Sequence, residues 1–243
     1  NRATGDGQAL EYAIKLFNSI ENHSFDAEKD GYFEAFTREW TPIEDMRLSD
    51  KDANESKTMN THLHVLEAYT CLYRVWKNEL LEERLRGLIS IFEDKILGTD
   101  GHLKLFFDDD WNCNYDIFSY GHDIEASWLI HEAALVLGDP EVLERIEKIV
   151  PHIAEAASEG FTPEGGMIYE RVGEEIDRDR HWWVQAESVV GYFNLWDHFG
   201  SRKDLENALM CWDFIKANII DKENGEWFWS LRADGSINRD DDK

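Results

Sequence analysis

Apolar residues recur along this chain with a helical period that is broken at regular intervals. In residues 8–22, Leu10, Ala13, Ile14, Phe17 and Ile20 fall on one face of a helix. Residues 25–40 break that spacing. Asp30-Gly31 is a turn signal, and Tyr32, Phe33, Phe36 and Trp40 predict short extended segments. Residues 41–56 are polar and irregular, which predicts a surface loop. Helical spacing returns from Lys57 to Trp76 and from Glu79 to Ile96, before an extended stretch from Gly101 to Trp111 and a loop to Tyr120. The same succession then recurs: a helix from Gly121 to Leu137, a turn at Gly138-Asp139-Pro140, a helix from Glu141 to Ser158, an extended stretch from Gly165 to Val172, and a charged loop from Gly173 to Arg180. A third round has a helix over 181–199, a stop at Gly200, a helix over 203–220, an extended stretch from Gly225 to Leu231 and a polar tail over 232–243.

This is an internal repeat of an inner helix, an outer helix, a glycine turn and a short hairpin. Gly31, Gly101, Gly166 and Gly225 open the hairpins at intervals of roughly 60–70 residues. The inner helices align on His64-x-x-Glu67-Ala68, His122-x-x-Glu125-Ala126 and Val184-x-x-Glu187-Ser188. Stacked helix pairs either curve into an open solenoid or close into a ring of inner helices inside a ring of outer ones. Inner helices rich in Trp, His and Tyr favour closure around a cavity. The expected fold class is all-α, with about seven helices, one unpaired and then three pairs, and short β-hairpins between the pairs.

Three helix starts carry the candidate chemistry: Asn60 with His64; His122 with Glu125 and Trp128; and Trp182 and Trp183 with Glu187. Residues three or four apart share a helical face. A histidine titrates near neutrality and can take and return a proton, and a carboxylate one turn away can orient its ring. His62, two residues from His64, faces away and is structural on this reading, while His23, His102, His152 and His198 fall in turns or outer helices and are expected to be solvated. His131-Glu132 lacks the second histidine of a zinc signature, and no phosphate-binding glycine loop is present.

Composition narrows the partners. A net charge of −26 repels nucleic acid and anionic membrane, so a neutral or cationic small molecule fits better. Ten tryptophans suit a sugar-lined pocket as well as a large aromatic core. Cys71, Cys113 and Cys211 show no paired spacing; Cys71 and Cys211 read as buried thiols of a reducing compartment, hence a cytoplasmic protein. Three function classes follow: proton transfer at a carbon next to a sugar carbonyl, glycoside hydrolysis by Glu125 and Glu187, or a lectin-like binding repeat. The histidines favour the first.

The blocks Arg47-Leu-Ser-Asp-Lys-Asp-Ala-Asn54, Met59-Asn-Thr-His-Leu-His-Val-Leu-Glu-Ala-Tyr-Thr70, Tyr120-Gly-His-Asp-Ile-Glu-Ala-Ser-Trp128 and Trp182-Trp-Val-Gln-Ala-Glu187 resemble the cellobiose 2-epimerases of the N-acylglucosamine 2-epimerase superfamily. The resemblance implies an (α/α)6 barrel, with residues 1–243 part of a single toroid domain. It implies interconversion of reducing-end glucose and mannose in β-1,4-linked disaccharides through a cis-enediolate, without cofactor or metal, by a monomer when complete. An N-acylglucosamine 2-epimerase or mannose isomerase is the alternative within the superfamily, and a glycoside hydrolase on the same barrel the alternative outside it. On this resemblance His122 is one of two acid/base histidines and Glu125 supports it. His64 and Asn60 contact the enediolate oxygens, Trp128, Trp183 and Glu187 are required positions, and Trp183 stacks on sugar. The arginine-bearing early helix and the Trp-x-x-Pro-Tyr-His segment of the family have no match here. The chain is therefore expected to be a fragment lacking both ends of the domain, to be inactive alone, and to expose apolar edges.

Overall fold

Short polar side chains mark where the helices start, because each satisfies a backbone N–H that the first turn leaves open. Asp6 accepts from the Gln8 N–H at 2.8 Å, Thr58 from Thr61 at 3.0 Å and Asn78 from Leu81 at 3.1 Å. The computed structural model describes residues 1–49 and 52–240. Asp50 and Lys51 of the expected surface loop, and the last three residues of the polar tail, lie outside the described residues. Among the described residues there are seven α-helices: α1 (Gly7–His23), α2 (Met59–Tyr73), α3 (Glu79–Ile91), α4 (Tyr120–Leu137), α5 (Pro140–Ala157), α6 (Trp182–Phe199) and α7 (Arg202–Phe214). The all-α class and the helix count agree with the sequence pattern. Pro140 opens α5, where its missing donor costs nothing, and Gly200 closes α6. The segments Phe92–Ile96 and Ile215–Ile219 continue α3 and α7 as a single π turn each, before the chain enters the next hairpin.

The strands correct two expectations. They are β1 (Lys57–Thr58), β2 (Phe106–Phe107), β3 (Ile117–Ser119), β4 (Glu170–Val172), β5 (Glu175–Asp177), β6 (Arg180–His181) and β7 (Ser230–Leu231). Antiparallel ladders join β1 to β2, β3 to β4 and β6 to β7. Each ladder therefore pairs the segment before a helix pair with the segment after it. The local hairpins between pairs are narrower, closed by single bridges at Phe25–Tyr32, Phe161–Met167 and Ile220–Trp227. The stretch from Gly173 to Arg180 is not a charged loop: β4 and β5 form a hairpin through it and β6 begins at its end. Glu174 and Glu175 are exposed, which an edge hairpin allows as fully as a loop. The third hairpin turns on Gly165, not Gly166. Gly165 has φ +91°, matching Gly31 at +89° and Gly101 at +93°, and a Cβ there would lie 2.6 Å from the Met210 carbonyl oxygen.

The described residues group into two compact units. The first comprises Asn1–Leu97, Lys104–Tyr115 and Glu132–Leu143. Its core sets Leu63 and Leu66 of α2 and Leu81, Leu85, Leu88 and Ile89 of α3 out of solvent. Glu21 of α1 accepts the Tyr32 hydroxyl at 2.8 Å, the Tyr69 hydroxyl at 2.6 Å and Arg84 Nε at 2.6 Å, tying α1 to a hairpin, to α2 and to α3. Lys57 is wholly buried and bonded to Asp26 at 2.8 Å, with its ammonium 5.0 Å from the Trp111 ring centre. The second unit comprises Gly98–Leu103, Asp116–His131 and the described residues from Glu144 on. Its core draws on Ile124 and Ile130 of α4, Val150 and Ile153 of α5, Val184 and Leu195 of α6, and Cys211 of α7. All three cysteines are free; Cys211 is buried as expected, but Cys71 is exposed. α2 is apolar around most of its circumference, so pattern alone does not show which face Cys71 occupies. None of the helices is long and apolar enough to cross a membrane among the described residues.

Candidate active site

Each leading helix of a pair begins with a buried polar side chain at its fourth position. In α2 this is His62, whose Nε2 accepts the Tyr32 backbone N–H at 2.9 Å while Nδ1 donates to the Thr58 carbonyl at 2.6 Å. Burial pushes the His62 imidazole down to about 4, against the helping Thr58 bond, which suits a neutral ring with one donor and one acceptor. In α4 it is Asp123, which accepts the Leu103 backbone N–H at 2.9 Å and His102 Nδ1 at 2.7 Å. In α6 it is Gln185, which accepts the Met167 backbone N–H at 2.8 Å and donates to the carbonyls of Met167 at 2.8 Å and His181 at 3.0 Å.

Tyr32, Leu103 and Met167 are equivalent hairpin residues. The next residue in each case, Phe33, Lys104 or Ile168, returns its N–H to Ser24, Ile96 or Gly160 at the end of the preceding helical segment. His62, Asp123 and Gln185 are therefore equivalent, and the repeat register follows. α4 and α6 align as the sequence indicated. α2 is shifted by three residues, nearly one turn, so His64 occupies the position of Glu125 and Glu187 and not that of His122. A His-x-x-Glu pattern in both helices masked the shift, because the true anchors are three chemically different side chains.

Five of the seven candidate residues lie in the second unit, on the facing starts of α4 and α6. Gly121 makes this approach possible: a Cβ there would sit 2.7 Å from both the Trp183 ring and Val184. The half-buried His122 ring packs against Trp183 at 4.8 Å between centres, tilted by 49°. Its backbone N–H reaches Ser119 Oγ at 3.4 Å. Glu125, one turn on, is 8% exposed. Trp128 Nε1 donates to Glu187 Oε2 at 2.8 Å, so one carboxylate oxygen of Glu187 is held in place. Tyr169 completes an aromatic wall, edge-on to Trp183 at 6.2 Å and stacked on His181 at 4.2 Å. Sequence reasoning passed over Tyr169, whose only signal is its place two residues beyond an anchored hairpin residue.

The other two candidates lie in the first unit, on α2. His64 is half-exposed, with Nδ1 at 3.2 Å from Glu67 Oε2. Asn60, half-buried, lies one turn earlier on the same face. Near the start of α2, Glu34 accepts hydrogen bonds from Thr58 Oγ1 and, at 2.5 Å, from Thr61 Oγ1. Burial raises the Glu34 carboxyl despite those donors. His102, expected to be solvated, is instead buried. It is stacked on Phe118 at 3.7 Å and paired with Asp123. Burial alone would push the His102 imidazole down, but the bond to Asp123 and the nearby charges of Asp123, Glu159 and Asp100 outweigh it and raise it. His152 and His198 are exposed, as expected, and His23 stacks on Trp40 at 4.5 Å.

An imidazole and a carboxylate stand one turn apart beside a flat aromatic wall, side-chain types able to move a proton and to pack on an apolar face. Residues 3–242 match the model of the N-acylglucosamine 2-epimerase family. The chain belongs to this family. It is 63% identical to a cellobiose 2-epimerase of Bacteroides fragilis over 100% of its own length and 63% of that protein. It is 42% identical to a cellobiose 2-epimerase of Ruminococcus albus over 96% of its length and 60% of that one. The chain thus spans about three fifths of the length of these relatives. The solved cellobiose 2-epimerase of Bacillus thermoamylovorans superposes with a TM-score of 0.91 at 40% identity, covering 98% of this chain and 62% of that one. The helix pairs are those of the (α/α)6 barrel fold that the N-acylglucosamine 2-epimerase family shares, represented by seven helices among the described residues.

Proposed function

We propose that this chain carries the acid/base site of a sugar 2-epimerase acting on the reducing-end glucose or mannose of β-1,4-linked disaccharides. One observation carries the reading. His122, Glu125, Trp128, Trp183 and Glu187 converge on adjoining helix starts in a chain 63% identical to a cellobiose 2-epimerase. In the ring-opened sugar, His122 exchanges the proton at C2. Loss of that proton moves the C2–H electron pair into a C1–C2 double bond and leaves negative charge on O1, which needs donors that strengthen as the charge develops. Return of a proton to the opposite face of C2 gives the epimer. Glu125 orients the imidazole, Trp183 offers its face to the sugar, and Trp128 holds Glu187 against the site. The substrate is a neutral saccharide, in keeping with the chain's charge, and the three free thiols suit a reducing cytoplasm.

Incubation with cellobiose in D2O tests this, using the chain alone and the chain grafted between the flanking segments of the Bacteroides fragilis relative. The graft is expected to yield mannosyl-glucose with deuterium at C2 of recovered sugar, and the isolated 243-residue chain little or none. Release of unlabelled monosaccharide indicates a hydrolase instead. Quenching of tryptophan fluorescence with neither product indicates a binding module.

A further inference from the structure

We propose that His62, Asp123 and Gln185 are positioning residues: by clamping the hairpin ahead of α2, α4 and α6 they set the rotation of each helix's first turns, and so aim His64, Glu125 and Glu187, each two residues further on. Only the role of the aimed residues rests on the epimerase reading.

All three anchors are fully shielded from solvent. They share no chemistry, yet each accepts the backbone N–H of the same hairpin residue in its repeat. His62 and Gln185 also donate to the carbonyl four residues back, at Thr58 and His181, where their helices begin. A carboxylate has no such donor. In the middle repeat the second bond runs the other way: His102 Nδ1 donates to Asp123 at 2.7 Å and holds the carboxylate in place. An apolar residue of similar volume would fill these positions but strand a buried N–H, which explains why polarity is retained in a core.

The consequence for the site is geometric. Two residues along a helix is a rotation of roughly 200°, so clamp and aimed side chain lie on opposite sides of the axis. A rotation of roughly 10° swings a side-chain end by about 1 Å, and a misplacement of that size can cost ~10²-fold in rate. In the third repeat the aim has a reporter, because Glu187 receives the Trp128 indole N–H at 2.8 Å.

Gln185→Met, Gln185→His and Gln185→Glu in the full chain test the proposal by amide and indole hydrogen exchange. Gln185→Met is expected to speed exchange at the Met167 amide and at the Trp128 indole at least 10-fold, with exchange in α7 unchanged. Gln185→His, copying the first repeat, should bring both back to within about 3-fold of wild type. Gln185→Glu keeps the acceptor but faces two carbonyls without a proton. Relative to wild type at the same pH, its indole exchange should be fast at pH 7 and within about 3-fold at pH 5, where a buried carboxyl regains its proton, and this variant decides the matter if the methionine variant does not fold. Accelerated exchange at Met167 with the Trp128 indole unchanged overturns the proposal, as does an acceleration over wild type in Gln185→Glu that is the same at pH 5 and pH 7. In the grafted enzyme Gln185→Met should lower kcat for C2 labelling at least 10-fold with KM within 3-fold. Absence of labelling in the unmutated graft defeats the epimerase reading alone, and the indole measurement still judges the anchors.

Discussion

Trp128 gives its one donor to Glu187, and that single bond separates two kinds of contribution to the site. Trp128→Phe keeps an apolar ring and removes the donor. The loss of a hydrogen bond to a charged group, about 1.5–3 kcal/mol, should lower the melting temperature by several degrees, and the misplaced Glu187 predicts a 10- to 100-fold lower rate of C2 labelling in the grafted enzyme. Lys57 predicts a large stability effect at a residue with no chemistry. Its ammonium is wholly buried on Asp26, whose carboxyl is held low by the Lys57 bond and two backbone N–H groups against the cost of burial. Lys57→Met should cost about 3–5 kcal/mol in urea unfolding, because Asp26 keeps its charge without its partner. At this scale the sequence was legible where a short step along one helix settled the matter. His62 faces away from His64 because two residues span more than half a turn. It was illegible at His102, whose partner Asp123 lies on another element, and at Cys71, where a helix apolar on most sides hides its exposed face.

Helices were read from sequence with ends within a few residues, since caps and apolar spacing are local signals. The ladders were not, because each is two or three residues long and its partner lies beyond an intervening helix pair. The same locality misplaced the register of α2, which only the hairpin bonds reveal. Close approach of α4 and α6 is another feature that no pattern announces. It rests on Gly121, and on Gly191, where a Cβ would meet Ile124 at 2.6 Å. Gly121→Ala should destabilise the second unit by about 1–3 kcal/mol through overpacking and push Trp183 away from His122. Loss of sugar-induced fluorescence quenching, together with a lower denaturation midpoint, would register both effects.

Across the molecule, acid acts on His62 and on the His102–Asp123 pair with opposite sign. The His62 imidazole is depressed from 6.5 to about 4 in the fold, so its contribution is complete above pH 6.5 and is lost as pH falls toward 4. Burial raises the Asp123 carboxyl from 3.8 to about 6, the hydrogen bond and charge of His102 opposing it only in part, and His102 is itself raised. That pair takes up protons on folding, so its contribution is largest below pH 3.8 and declines as pH rises through 6. His62→Gln, which copies the third repeat, should therefore gain stability relative to wild type as pH drops from 7 to 4.5. Asp123→Asn should lose relative stability over the same change. Thermal melts across that range give both signs. A net charge of −26 adds a uniform self-repulsion, so added salt should raise the melting temperature of every variant alike.

The ladders also dictate when a helix pair becomes secure during synthesis. Lys57 and Thr58 meet their partners only after Phe106 and Phe107 have left the ribosome, and Arg180 and His181 wait for Ser230 and Leu231. Each pair is thus a noose drawn shut by its own last residues. Nascent chains halted just short of a closing strand should remain open to protease at the first turn of the leading helix, and a few more residues should shut it in one step.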